Sequence, residues 1–151
     1  MPLVVNLQRK IDISNLDLRP FAAELVSTIP ETGGTGFSVA FISDRRMKEL
    51  NSMFRSKNAT TDVLSFPSEP DEFEQIAAVS GRDDTVEASL GDIVISVEQA
   101  AKQAAENRLP LELEIKQLML HGVLHLCGFD HETDDGEMNE RELGLRDKLG
   151  I

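Results

Sequence analysis

Apolar positions along this chain recur with two alternating periods, and the alternation sets the first expectations. A short β-branched run, LVVNL at 3–7, predicts a strand. DLRPFAAELVSTI at 17–29 sets Phe21, Leu25 and Ile29 four residues apart and predicts a helix with Pro20 in its first turn. PETGGTGF at 30–37 reads as a loop, because it lacks both the G-x-G-x-x-G pattern and the Lys-Ser/Thr ending of a phosphate-binding loop. FSVAFIS at 37–43 alternates as a strand, and Ser43 or Asp44 is placed to cap a helix whose apolar stripe is Met47, Leu50 and Phe54. TDVLSFP at 61–67 predicts a third strand ended by Pro67, LGDIVIS at 90–96 a fourth, and VEQAAKQAAENR at 97–108 an alanine-rich helix. Between the last two strands, up to about residue 89, an acidic stretch is expected to form a long mobile loop.

Pro110 suits the first turn of the next helix, which runs through LPLELEIKQLMLHGVLHLCG. Leu118, Met119, Leu120, Val123, Leu124 and Leu126 leave that helix little polar face, so it is expected to be buried on most sides. Gly128 follows where a left-handed C-terminal cap turns the chain sharply. EMNERELGLRDKL at 137–149 predicts a closing helix with Met138, Leu145 and Leu149 inward. No repeat or linker divides these elements, and 151 residues suit one domain, 1–151, around one core.

Composition narrows the classes. Hydrophobic residues make up 40% and charged residues 28%, which excludes a disordered chain or a membrane-embedded one, and MPLVVNLQRK lacks the apolar core of a signal peptide. One cysteine, Cys127, allows no internal disulfide, so a reducing cytoplasm is the expected compartment. A net charge of −12 argues against nonspecific coating of nucleic acid, which rests on neutralising phosphates. The charge is uneven, however: DRRMKELNSMFRSK at 44–57 carries five basic residues and two acidic ones. That segment is either a phosphate-facing surface or a solvated helix face.

All three histidines fall within HGVLHLCGFDH, at 121, 125 and 131. On a helix, His121 and His125 lie about 40° apart and one turn from each other, so both imidazoles reach one point. His131 follows the Gly128 turn and can return a third nitrogen there. Three neutral imidazoles suit a tetrahedral zinc with an open position, which marks a catalytic site more than a structural one. The alternative is a buried, hydrogen-bonded histidine pair with an unrelated loop histidine. H-x3-H-x2-G-x2-H is the metzincin zinc spacing with Gly122 where those peptidases carry glutamate, and it favours one bound zinc held by His121, His125 and His131. Cys127 points about 240° around the helix from His121 and is expected to pack in the core. Asp130 and Glu132 flank the third histidine, where either could orient an imidazole, accept a proton, or simply cap the closing helix.

Without the glutamate, ordinary zinc-peptidase chemistry loses its general base. A phosphodiester suits the site better, since its equatorial oxygens call for positive charge. Arg55, in the basic segment just before TTDVLSF, is the candidate clamp, with a structural salt bridge as its alternative role.

The chain here resembles the YbeY family of bacterial ribosomal-RNA maturation endoribonucleases. HGVLHLCGFDH matches that family's H-G-x-L-H-L-x-G-[YF]-D-H signature, and Leu50-Asn51, the arginine of MFRSKNATTDVLSFP and LGDIVIS match in order, spanning about 39–149. The resemblance implies a small α+β domain with a four-stranded mixed sheet and a zinc on His121, His125 and His131. It further implies Arg55 as the functional arginine and single-strand-specific cleavage of RNA in 16S rRNA 3′-end processing and ribosome quality control. The attacking group would be water acidified by zinc or a ribose 2′-OH. Implied partners are ribosomal RNA, ribosomal subunits and RNA-processing proteins, with no membrane. Phe129 stands where tyrosine is usual, so a hydroxyl role there lapses, and the acidic 69–89 stretch matches no family motif. A metal-dependent peptidase or other hydrolase drawing its base from Asp130 or elsewhere, and a non-catalytic ribosome assembly factor with structural zinc, remain the competing readings.

Overall fold

The computed structural model describes residues 2–68 and 89–151, so the loop expected before residue 89 lies largely outside the described residues. Four strands, β1 (Leu3–Asn6), β2 (Gly36–Ile42), β3 (Val63–Pro67) and β4 (Ser89–Ser96), form one sheet in the order β1-β2-β4-β3. β1–β2 and β2–β4 pair in parallel, and β3 pairs antiparallel to β4, so the sheet is mixed. The helices are α1 (Arg19–Thr28), α2 (Asp44–Arg55), α3 (Val97–Asn107), α4 (Leu111–Leu126) and α5 (Glu137–Leu149), with a 3-10 turn at Pro30–Thr32. This is the expected α+β arrangement. Among the described residues no helix is long and apolar enough to cross a membrane.

Strand alternation divides the apolar side chains between two faces of unequal size. Phe37, Val39 and Phe41 of β2 and Ile93 and Ile95 of β4 join Phe21 and Leu25 of α1 and Met119, Leu120, Val123 and Leu124 of α4 in the main core. Ile42, Met47, Leu64 and Val94 form a smaller cluster involving α2, β2, β3 and β4. Burying each large apolar side chain is worth about 1.5–3 kcal/mol, so the α4 face dominates stability.

Most element edges fall within two residues of expectation, and local chemistry explains the differences. Pro110 is the N-cap of α4 rather than its first helical residue, and Arg108, at φ 57, ends α3 one residue early. Ser43 is the cap of α2, its hydroxyl accepting from the Arg46 amide at 3.2 Å, a contact worth about 1 kcal/mol. Asp44 instead fastens α2 to the β4–α3 junction: its carboxylate accepts from Thr60 Oγ1, from Ser96 Oγ at 3.1 Å and from Gln99 Nε2 at 3.3 Å.

One inward assignment fails. Helical period puts Phe54 in the buried stripe of α2, yet it is 60% exposed. Asn51 is buried in its place, donating from Nδ2 to the Ala59 carbonyl at 2.8 Å. The cause is the abrupt end of α2, where Ser56 turns left-handed at φ 55 and leaves Phe54 on a last turn with the Phe66 ring beside it.

Candidate metal centre

Helix α4 is buried along most of its length beyond its first turns, and its histidine edge opens to solvent. Ile115, Met119, Leu120, Val123 and Leu124 are fully buried, while His121 and His125 are half-buried at one end of a cleft. The helix closes in the predicted glycine turn: Gly128, at φ 100, donates to the His125 carbonyl at 3.0 Å, and Phe129 donates to the Leu124 carbonyl at 3.1 Å. This Schellman pairing needs a residue tolerant of positive φ at Gly128 and reverses the chain within three residues. His131 is thereby brought back to the two helical histidines, with ring centroids 5.4 Å from His121 and 5.2 Å from His125.

The three imidazoles offer ligand nitrogens that all lie within 4.8 Å of one another. His121 Nε2 and His125 Nε2 are 3.1 Å apart, against a donor spacing of about 3.3 Å around a tetrahedral zinc. Nδ1 of His121 faces Glu142 Oε1 at 3.0 Å, and an ionised carboxylate can only accept, so the proton of a neutral His121 belongs on Nδ1. Its Nε2 is then a lone pair aimed at the other rings. Burial, followed by the charges of His121 and His131, lowers the pKa of His125 against opposing contributions from the Phe129 backbone and Asp130, which favours the neutral, ligating form. Three converging imidazole nitrogens fit a divalent cation, and the donor set suits zinc.

Glu142 is the residue in contact with the histidine cluster that sequence reasoning missed. It comes from α5, twenty-one positions beyond His121, and is 8% exposed. Burial pushes its carboxyl up, but the His121 hydrogen bond and the charges of His121, Arg146 and His125 outweigh that and hold it below the usual range. Arg146 stands behind it, 3.7 Å from Glu142 Oε2. The sequence signal is faint: an acidic position four residues after the buried Met138, on the inward side of the closing helix. Asp130 and Glu132, the carboxylates singled out instead, are exposed and line the cleft, with Asp130 Oδ1 accepting from the Glu132 amide at 3.0 Å. Asp130 is thus used in shaping the turn. Cys127 packs half-buried against the core, its thiol pushed up by burial and by the charge of Glu31.

Gly122 has a steric explanation. A Cβ at this position would meet Ile93 Cγ2 at 2.8 Å and Cδ1 at 2.9 Å, so the absence of a side chain is what lets α4 lie directly on β4. A glutamate here would be driven into the core, and its carboxylate could not serve the histidines. The Gly122 carbonyl also accepts from Ser65 Oγ at 3.3 Å, tying the helix to β3.

The cleft beside the histidines has a volume of about 880 Å³. Arg55 and Lys57 from the end of α2 line it together with β3 and all three histidines. Arg55 is exposed, and among the described residues it forms no salt bridge, so the structural-pair role has no partner there. Sequence positions 55 and 121–131 therefore meet in one place.

A model of the endoribonuclease YbeY family matches residues 4–150, extending the similarity upstream of the segment in which sequence motifs were legible. An endoribonuclease YbeY from Nautilia profundicola is 46% identical over 108 residues, covering 72% of this chain and 68% of that protein. Another, from Caldanaerobacter subterraneus subsp. tengcongensis, is 37% identical across 99% of this chain and 97% of its own length. The solution structure of TM1509 from Thermotoga maritima superposes with a TM-score of 0.61 at 27% identity, covering 99% of this chain and 90% of that one. The chain belongs to the endoribonuclease YbeY family.

Proposed function

From that membership we propose that this chain, acting as a single 1–151 catalytic unit, is a metal-dependent endoribonuclease. Its substrate is single-stranded RNA, with the 3′ region of 16S rRNA as the target and ribosome maturation and quality control in the cytoplasm as the setting. Ribosomal subunits and RNA-processing proteins are its partners in this reading. One zinc is held by His121, His125 and His131. The observation that carries the proposal is the meeting of three convergent imidazoles with the exposed Arg55 in one open cleft.

Zinc, when bound, supplies Lewis acidity toward a phosphoryl oxygen and acidifies water. The chain's own groups do the rest. Arg55 holds the phosphate through a planar fork matched to two oxygens, and Lys57 adds a second positive charge along the strand. The Glu142 carboxylate keeps the proton of His121 on Nδ1, so that Nε2 remains a donor atom. The peptidase alternative loses ground to Gly122, since Ile93 occupies the space a helical glutamate would need.

Purified chain incubated with a single-stranded 16S 3′ oligonucleotide should cut it, and a zinc chelator should stop the cut. A 2′,3′-cyclic phosphate on the product would assign attack to the ribose 2′-OH. Zinc-loaded protein that binds the RNA without cleaving it would instead support the assembly-factor reading.

A further inference from the structure

The cleft also contains aromatic surface that neither the metal nor the phosphate clamp uses. Phe54, Phe66 and Phe129 all line it, three of the seven phenylalanines in the chain. Phe129 and Phe66 are half-buried and pack against the core clusters. Phe54 contrasts with both at 60% exposure. Its ring meets Phe66 in a T-shaped contact, centroids 5.2 Å apart and planes at 70°. Leaving a phenylalanine this open in water forfeits most of the gain its burial would bring. Its neighbours are charged in the right sense for a polyanion: Arg55 follows it directly, and Lys57 lines the same wall.

Cations that track a phosphate backbone beside an exposed ring form the usual platform for single-stranded nucleic acid. Every base has a π-face, so stacking adds affinity with little sequence demand, whereas bases inside a duplex are already stacked on each other. We infer that Phe54 is a stacking subsite for one unpaired nucleobase of the RNA, seated beside the phosphate held by Arg55. This rests on the RNA reading above and deepens it, because it gives the cleft a physical reason to prefer unpaired strands.

The test compares zinc-loaded wild-type, Phe54→Ala, Phe54→Leu and Phe54→Tyr proteins on a short single-stranded RNA, with kcat and KM determined separately. Loss of one base-stacking contact should raise KM roughly 5- to 150-fold in the Ala and Leu variants, while Tyr retains near wild-type KM. Leu keeps apolar bulk, so it separates stacking from mere hydrophobic contact. A second series uses oligonucleotides lacking one base at a time. At one position the missing base should weaken wild-type binding by the same factor, and it should cost Phe54→Ala nothing further. The salt dependence of binding should be unchanged in Phe54→Ala, since no phosphate contact is lost.

If wild-type protein binds and cleaves while Phe54→Ala and Phe54→Leu match it, the stacking subsite is overturned alone. The subsite is equally overturned if every abasic penalty persists undiminished in Phe54→Ala. A wild-type chain that does not bind the RNA would overturn the RNA reading and this inference together.

Discussion

Helices α2 and α4 both present side chains to the same cleft, yet they are held in opposite ways. α4 lies against β4 through Gly122 and buries apolar residues around nearly its whole circumference, so its histidines inherit the rigidity of the main core. α2 buries only Met47 fully in the smaller cluster, with Leu50 packed at its edge, and relies more on polar contacts, above all Asp44 to Thr60, Ser96 and Gln99. Coordinating a metal tolerates little positional error, whereas gripping a flexible phosphate strand tolerates more. Under the proposed function, metal binding on the α4 side and substrate capture on the α2 side should therefore be separable properties.

Variants should separate them. The largest effect is expected from His121→Ala, which should weaken zinc at least about a hundredfold and abolish cleavage, read by competition with a chromophoric chelator. Arg55→Ala should lower kcat/KM by about 10²–10³ while leaving zinc affinity at the wild-type value; a matching loss of zinc would break the division between the two helices. Glu142→Ala should weaken zinc about 10- to 100-fold, with Glu142→Gln less affected because its carbonyl oxygen still accepts from Nδ1. Imidazole ¹⁵N shifts of the metal-free protein should show His121 leaving the Nδ1–H tautomer in Glu142→Ala, a change that general destabilisation would not produce.

Gly122→Ala probes the contact on which α4 depends. Overpacking against Ile93 costs about 1–3 kcal/mol, and the gain in helix propensity offsets about 1 kcal/mol of that. The net loss should lower the melting temperature by several degrees, with Ile93→Val recovering part of it; an unchanged melt would mean that the helix–strand contact yields easily. The smallest effect is electrostatic. The Arg141 hydrogen bond holds the Glu31 carboxyl below the usual glutamate range, against a smaller opposing effect of burial. A carboxyl whose folded pKa is depressed contributes stability above its unfolded value, near 4.3, and loses it as pH falls through the folded one. The melting-temperature gap between wild type and Glu31→Gln, reflecting about 0.2–1 kcal/mol for a partly exposed pair, should therefore shrink as pH falls below the unfolded value and vanish once pH passes the depressed folded one.

The histidine site is legible in the sequence because its chemistry is local. His121 and His125 are fixed by helical period and His131 by the Gly128 turn, all within eleven residues whose spacing alone carries the geometry. The strands are equally readable from their alternation, but not their order, since β4 comes to lie between β2 and β3 only through tertiary packing. Glu142 stays hidden for the same reason: its link to His121 depends on how α5 crosses α4, which no spacing rule encodes. Phe54 escapes its expected burial because helical period places a side chain on a face without saying that the helix breaks at Ser56, one turn too early to fold that face inward. Gly122 looks like a missing base in the sequence, and the structure makes it a contact surface.

The hydrogen bond between His121 and Glu142 also ties two equilibria together. Whatever affinity Glu142 adds to the metal, occupancy of the metal must return in equal measure to the docking of α5, because coupling free energy is reciprocal. Stripping the metal should then quicken amide hydrogen exchange in Glu137–Leu149 more than in β2 or β4, so the closing helix should report metal occupancy without any RNA present.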